Sequence, residues 1–121
     1  MSMNNQEAFD TAVSFLFKQG CVSQDSLGMC LYRTKDGKKC AVGALIPDAL
    51  YSPRIEGYTV HRLIDEYPGI YNLFIDVDYN LLRHMQSIHD KVPINMWREK
   101  FIRLAQNYEL STNKVMEAMV Q

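Results

Sequence analysis

The stretch DGKKCAVGALIPDALYSP, from Asp36 to Pro53, decides the fold because it joins a tight turn to a run of small apolar residues. Asp36-Gly37 stands between two short strand-like runs, MCLYR and KKCAV, and this pattern predicts a β-hairpin. The second strand then passes into CAVGALI, which we expect to turn helical. Pro47-Asp48 breaks that run and is suited to the first turn of another short helix, which Pro53 would end.

Cys40, inside this stretch, supports two hypotheses. Lys38, Lys39 and a following helix N-terminus would each lower the pKa of its thiol, which is the setting that a nucleophile needs. Strand alternation, however, places Lys39 on the opposite face from Cys40, and unpaired cysteines are among the most buried residue types. We therefore expect Cys40 to pack where the hairpin meets the next helix, with Gly43 permitting the close approach.

Apolar residues at helical spacing on both sides of this stretch predict further helices. The first runs from about Asn5 to Gln19, and Gly20 is suited to its C-terminal cap. A short helix is predicted from about Thr59 to Glu66. The later helices are expected after the capping carboxylates Asp76 and Asp78, after Pro93, and after Ser111.

These elements together predict a mostly α (α+β) fold, a compact helical domain of about five or six helices with one β-hairpin. We expect residues 1–121 to form it as a single domain. The apolar stripes of the helices, together with the run after Cys40, define a predicted core. That core consists of Phe9, Val13, Leu16, Val42, Leu45, Leu81, Met85, Trp97, Phe101 and Leu104.

Composition narrows the classes of function. The chain has 121 residues, of which 47% are hydrophobic and 22% charged, and its net charge of −1 does not direct it as a whole towards nucleic acid. No apolar run approaches the about 18 residues of a membrane span, and the N-terminus lacks the regions of a signal peptide. Three cysteines without a C-x-x-C motif fit reduced thiols. We expect a cytoplasmic protein that does not engage a membrane.

The enzymatic hypothesis is a cysteine-dependent hydrolase or transferase with Cys40 as nucleophile. His61 is one candidate base, since Asp65 lies four residues on along the same helix face and would orient it. His89 is the other, but its neighbour Asp90 points about 100° away around a helix and is badly placed to orient it. An exposed helical pair explains His61 and Asp65 equally well, so we lean away from an enzyme while leaving the question open.

No metal site and no cofactor are expected. His84 and His89 are five residues apart, whereas two zinc ligands on one helix need a spacing of four. Asp76 and Asp78 form a D-x-D pair without the loop of a calcium site. The phosphate-binding patterns G-x-x-x-x-G-K-[ST] and G-x-G-x-x-G do not occur.

The hairpin is the predicted binding site, because four cations and one acid lie between Arg33 and Lys39. An anion or an acidic surface would meet this charge beside aromatic contacts. Solvated charges that protect an edge strand are the alternative explanation. We expect Arg33→Ala with Lys39→Ala to weaken binding at least about tenfold and to leave the melting temperature almost unchanged, because exposed charges stabilise little. The predicted site residues are Tyr32, Arg33, Lys38, Lys39 and Tyr51.

The segment YRTKDGKKCAVGALIPDALY resembles a group of small uncharacterised proteins encoded by bacteriophages and bacterial genomes. The shared pattern is Tyr32-Arg33, Asp36-Gly37, the K-C-A-V-G-x-L-I-P-D core from Lys39 to Asp48, a later His89-Asp90, and Trp97 before the last long helix. The resemblance covers most of the chain and implies a phage or prophage setting. It carries over no catalytic residue, because the group has no established activity.

The function expected from these observations is that of a small phage-type accessory protein. It would bind a host protein or an anionic small molecule without catalysis, in host defence or host takeover. Nucleic-acid binding through the basic hairpin is a third hypothesis, which we do not favour. The last helix carries Met116 and Met119, and such a surface would suit a symmetric homo-oligomer.

Overall fold

Six α-helices supply most of the regular structure in the computed structural model, which describes residues 2–118. The prediction of a mostly helical fold with about six helices is confirmed. Three short 3-10 helices lie between them, at Gly43–Leu45, Pro53–Ile55 and Ile94–Met96. The α-helices are α1 (Asn5–Gln19), α2 (Val60–Glu66), α3 (Pro68–Leu73), α4 (Tyr79–Lys91), α5 (Trp97–Asn107) and α6 (Asn113–Ala118).

Helix α1 has the bounds that the sequence predicts, and local capping explains both ends. The Glu7 N–H donates to Asn4 Oδ1 at 2.8 Å, and the Asn4 N–H donates back to Glu7 Oε1 at 3.0 Å, which together form a capping box. Gly20 ends the helix at φ 71°, a left-handed conformation that glycine adopts without steric cost. These contacts are all within the segment, so its sequence alone specifies them.

The core prediction is also confirmed. All ten predicted residues are buried, with exposures of 6% or less. Phe9 and Phe17 meet Phe101 edge to face, and Phe17 meets Trp97 in the same way, with ring centroids 6.1–6.2 Å apart. The buried cluster includes residues from all six helices. In α6 this residue is Val115, whereas Met116 is exposed and Met119 lies outside the described residues.

The predicted β-hairpin is wrong, although its tight turn forms. In this segment only Arg33 and Lys39 pair across the turn, as an isolated bridge. The next bond of a ladder would run from the Tyr32 N–H to the Cys40 carbonyl, but that carbonyl accepts the Ala44 N–H at 2.9 Å instead. The Tyr32 and Arg33 N–H groups donate to the Glu56 carboxylate at 2.8 and 3.0 Å, and Gln19 bonds both the N–H and the carbonyl of Lys39 at 2.8 Å. The backbone is therefore satisfied without strands.

The junction after the turn confirms the structural hypothesis for Cys40. The Cys40 side chain is buried, and its Sγ accepts the Gly43 N–H at 3.3 Å. Gly43 approaches the preceding segment so closely that a Cβ there would lie 2.0 Å from the carbonyl oxygen of Tyr32. The small residue at position 43 is therefore required by packing against the backbone.

Two of the predicted helices do not begin where the sequence indicates. Pro47-Asp48 begins a turn instead of a helix, because the Leu50 N–H bonds back to the Pro47 carbonyl at 2.9 Å and no helical ladder continues from there. Pro93 precedes a 3-10 turn, and α5 itself begins at Trp97. Within residues 2–118, no helix is both long enough and apolar enough to cross a membrane.

Candidate functional site

Arg33, the centre of the predicted binding site, is held inside the protein. Its Nη1 bonds Asp48 Oδ1 at 2.7 Å, its Nη2 donates to the Ile46 carbonyl at 2.6 Å, and its guanidinium lies 4.6 Å from the centre of the Tyr51 ring. The side chain is 15% exposed. Tyr51 is fixed in turn, because its hydroxyl donates to Glu56 Oε2 at 2.7 Å. Arg33 therefore acts as a structural clamp between the turn and the segment after Ile46.

The other predicted binding residues do not converge on one anion site. Tyr32 is 7% exposed and donates its hydroxyl to the Tyr58 carbonyl at 2.6 Å. Lys38 pairs with Asp36 at 2.6 Å, and this hydrogen bond and charge raise the pKa of Lys38 and lower that of Asp36. Lys39 is half-buried. Its Nζ lies 5.3 Å from the centre of an aromatic ring of α1.

Because Arg33 is mostly buried, the expectation that its removal spares stability is corrected. We expect Arg33→Ala to lower the free energy of unfolding by about 2 kcal/mol, since it removes charge-assisted hydrogen bonds and the stacking on Tyr51. Urea denaturation followed by circular dichroism measures this. Lys39→Ala is the matched control and should change stability by less than about 1 kcal/mol, since it loses only the contact with one aromatic ring. Equal, small effects in both variants would contradict the clamp.

A cleft of about 680 Å³ lies on another part of the surface. Its walls are residues 28–32, the face of α4, and the segment 57–60. Cys40, although buried, also borders it. The cleft could not be identified from the sequence, because its walls come from three separate segments.

Helix α4 supplies the functional groups of the cleft from one face. Tyr79, Arg83, Ser87 and Lys91 recur every four residues, and Gln86 and Asp90 lie beside them, as neighbours on a helix do. Asp78 begins the helix by accepting the Asn80 N–H at 2.8 Å, which confirms it as a cap. This four-residue spacing of polar groups was a signal that could have identified the face.

His89 and Asp90 form a hydrogen-bonded pair, although we expected Asp90 to be badly placed to orient this histidine. His89 Nδ1 lies 2.7 Å from Asp90 Oδ1, and the Ser23 N–H donates to His89 Nε2 at 3.0 Å. That expectation was wrong. The 100° angle separates the Cα–Cβ bonds of the two residues, but the ring of His89 and the carboxylate of Asp90 extend beyond Cβ and turn towards each other. Since Nε2 accepts a hydrogen bond, Nδ1 carries the proton and donates it to Asp90.

Cys30 completes this group without forming a metal site. Its Sγ lies within 4.8 Å of ligand atoms of His89 and Asp90, a grouping that resembles a set of metal ligands. A metal at His89 Nδ1 would need the lone pair there and would move the proton to Nε2, which faces the Ser23 N–H. Two donors would then oppose each other in a buried place. The described residues of this cluster therefore do not suit a metal ion.

Both thiols of the cleft are protonated near neutral pH. Burial, the hydrogen bond to Asp90 and nearby carboxylates raise the pKa of Cys30 to about 11. Burial raises the pKa of Cys40 to about 12, although hydrogen bonds from Gly43 and Gln86 oppose the shift. Burial opposes ionisation of Asp90 as well, but hydrogen bonds from His89, Cys30 and Gln86 outweigh it and lower that pKa.

The histidines proposed as bases, His61 and His89, form no hydrogen bond with Cys40 among the described residues. His61 pairs with Asp65 at 3.2 Å, on the surface of α2, with both side chains more than 60% exposed. The ring of His61 also lies edge-on to Tyr79 at 5.8 Å, at the rim of the cleft. The pair matches the exposed helical pair that was the alternative explanation.

No family model, curated protein or solved structure matches this chain.

Proposed function

We propose that this chain is a small binding protein that holds an anionic group in the cleft beside α4 and releases it unchanged. The group belongs to a host protein or to an anionic small molecule. The setting is the one that the sequence resemblance implies, an accessory protein of bacteriophage type acting in the cytoplasm of a host cell in defence or takeover.

The observation that carries this proposal is the charge on the cleft-facing side of α4. Arg83 and Lys91 both line the cleft and are exposed, and neither has an ion pair within residues 2–118. Asp90 lies between them, but its carboxylate already accepts hydrogen bonds from His89 and Gln86 at 2.7 and 3.0 Å. The two cations therefore remain free for an incoming anion.

Binding without turnover is supported by the chemistry of the nearby groups. A thiol with a pKa of about 11 or 12 is almost entirely protonated at neutral pH and is a poor nucleophile. Both ring nitrogens of His89 are engaged in hydrogen bonds. The nucleic-acid hypothesis has less support than an anion in the cleft, because Arg33 and Lys38 are paired with acids.

Calorimetric titration tests the proposal with two probes, citrate and a peptide of ten glutamates. We expect at least one probe to bind at low salt and to bind more weakly as salt increases. Arg83→Gln with Lys91→Gln should raise its dissociation constant at least about tenfold, equivalent to about 1.4 kcal/mol. The matched control is Arg98→Gln with Arg103→Gln, which removes the same charge from exposed positions on α5.

The outcomes separate the hypotheses. Absence of binding by both probes, or an equal loss in the two double variants, would reject the cleft as an anion site. Recovery of a chemically altered ligand from the wild type but not from Cys40→Ser would replace binding with thiol catalysis. Serine is close in size to cysteine and far less nucleophilic, so this variant separates the two functions if it remains folded.

A further inference from the structure

Two large apolar side chains are exposed to solvent on the turn of residues 24–30, and one of them, Met29, lines the cleft. Leu27 is 86% exposed and Met29 is 64% exposed. The turn of residues 24–30 holds them in place, because Asp25 Oδ1 accepts the N–H groups of both Leu27 and Met29 at 2.9 Å. The Asp25 N–H also donates to the Met29 carbonyl at 2.8 Å. The side chains are therefore presented from a fixed backbone.

A second turn, nine residues later, shows that this geometry does not require apolar residues. In residues 33–39, Thr34 takes the place of Asp25, and its Oγ1 accepts the Lys38 N–H at 2.9 Å. Gly37 matches Gly28, with φ angles of 89° and 82°. Asp36 and Lys38 then occupy the positions that correspond to Leu27 and Met29.

The geometry of the turn does not depend on the residues at these two positions. The chain builds the same kind of turn twice, once with charged residues at these two positions and once with large apolar ones. Adjacent exposed apolar side chains are typical of surfaces that bind a partner. Forming the turn therefore does not explain why Leu27 and Met29 are apolar, whereas contact with a partner does.

We infer that the ligand of the cleft is an acidic segment of a partner protein that also carries large apolar side chains. This inference rests on the proposed function and identifies the partner more closely. Its carboxylates pair with Arg83 and Lys91, and its apolar side chains cover Leu27 and Met29. Charge complementarity selects an acidic partner, and the apolar pair selects a protein segment over a free anion.

The dimensions of the surface agree with an extended occupant. Arg83 and Lys91 are eight residues apart on α4, which separates their Cα atoms by about 12 Å. Met29 lines the cleft from the segment 28–32. Tyr79, which is 37% exposed, lines it from the start of α4. A small anion that binds one cation leaves the other cation and the apolar pair uncovered. A peptide of several residues can reach all of them.

Selection from a displayed library of random 16-residue peptides, with the wild-type protein as bait, tests the inference. We expect the selected peptides to be rich in Asp and Glu together with Leu, Ile, Phe or Met. Leu27→Asp, which copies the residue of the second turn, should weaken their binding at least tenfold. Arg83→Gln with Lys91→Gln should weaken it to a similar degree. Ile75→Asp, at another exposed apolar position, is the matched control and should bind normally.

The results distinguish this inference from the proposed function. If citrate or polyglutamate binds the cleft but the library gives no binder, the proposed function stands and the inference fails. The inference also fails if the selected peptides are not acidic, or if they bind Leu27→Asp as tightly as the wild type. If no probe and no peptide binds, both fall. Leu27→Asp should remain folded, because the side chain that it replaces is exposed.

Discussion

Replacing Gly43 with alanine is expected to lower the free energy of unfolding by about 3 kcal/mol or more. The added methyl carbon would lie 2.0 Å from the carbonyl oxygen of Tyr32 and 2.8 Å from its carbonyl carbon. These are backbone atoms, so no side-chain rotation relieves the overlap, and overpacking of this kind typically costs 1–3 kcal/mol even where side chains can adjust. Guanidinium denaturation of the purified variant measures the loss.

Gly69 provides the matched control, because a Cβ there would also make a close contact. Its nearest atom would be Leu50 Cδ2 at 2.7 Å, the far end of a flexible side chain. Gly69 lies in α3, where alanine has the better helix propensity by about 1 kcal/mol. We expect Gly69→Ala to be neutral or slightly stabilising. A Gly43→Ala variant no less stable than Gly69→Ala would show that the segment around Tyr32 yields easily.

The features of the fold that the sequence predicted correctly are those that local contacts determine. Helix α1 agrees at both ends because Asn4, Glu7 and Gly20 act within or beside their own helix. The packing role of Cys40 was also predictable, since a small apolar run beside Gly43 favours close contact of two segments. These parts of the fold depend on neighbours in the chain, and a single sequence contains that information.

The features that the sequence did not predict are those that depend on side chains distant in the chain. The hairpin failed because the Glu56 carboxylate, 24 residues away in the chain, accepts the Tyr32 N–H, and the Cys40 carbonyl that would have accepted it bonds the Ala44 N–H. The structural role of Arg33 was missed for the same reason, because its partners, Asp48 and the Ile46 carbonyl, lie 15 and 13 residues later in the chain. The cleft was missed for a related reason, because α4 forms it with two segments that precede it by many residues.

Replacing Glu56 with glutamine is expected to lower the free energy of unfolding by about 2–3 kcal/mol. Its carboxylate accepts three hydrogen bonds, from the N–H groups of Tyr32 and Arg33 at 2.8 and 3.0 Å and from the Tyr51 hydroxyl at 2.7 Å. Glutamine keeps one acceptor oxygen and turns an NH₂ group towards the remaining donors. At least one half-buried donor then loses its partner, and a hydrogen bond to a charged group typically contributes about 1.5–3 kcal/mol.

Tyr51→Phe is the matched comparison for this site, because it removes only one of the three donors and leaves the carboxylate and both backbone bonds in place. We expect it to cost about 1 kcal/mol, the usual net contribution of one hydrogen bond. Urea denaturation of the two variants gives both values under the same conditions. If Glu56→Gln costs no more than Tyr51→Phe, the backbone N–H groups find water instead, and the carboxylate is not what holds the turn in place of a β-ladder.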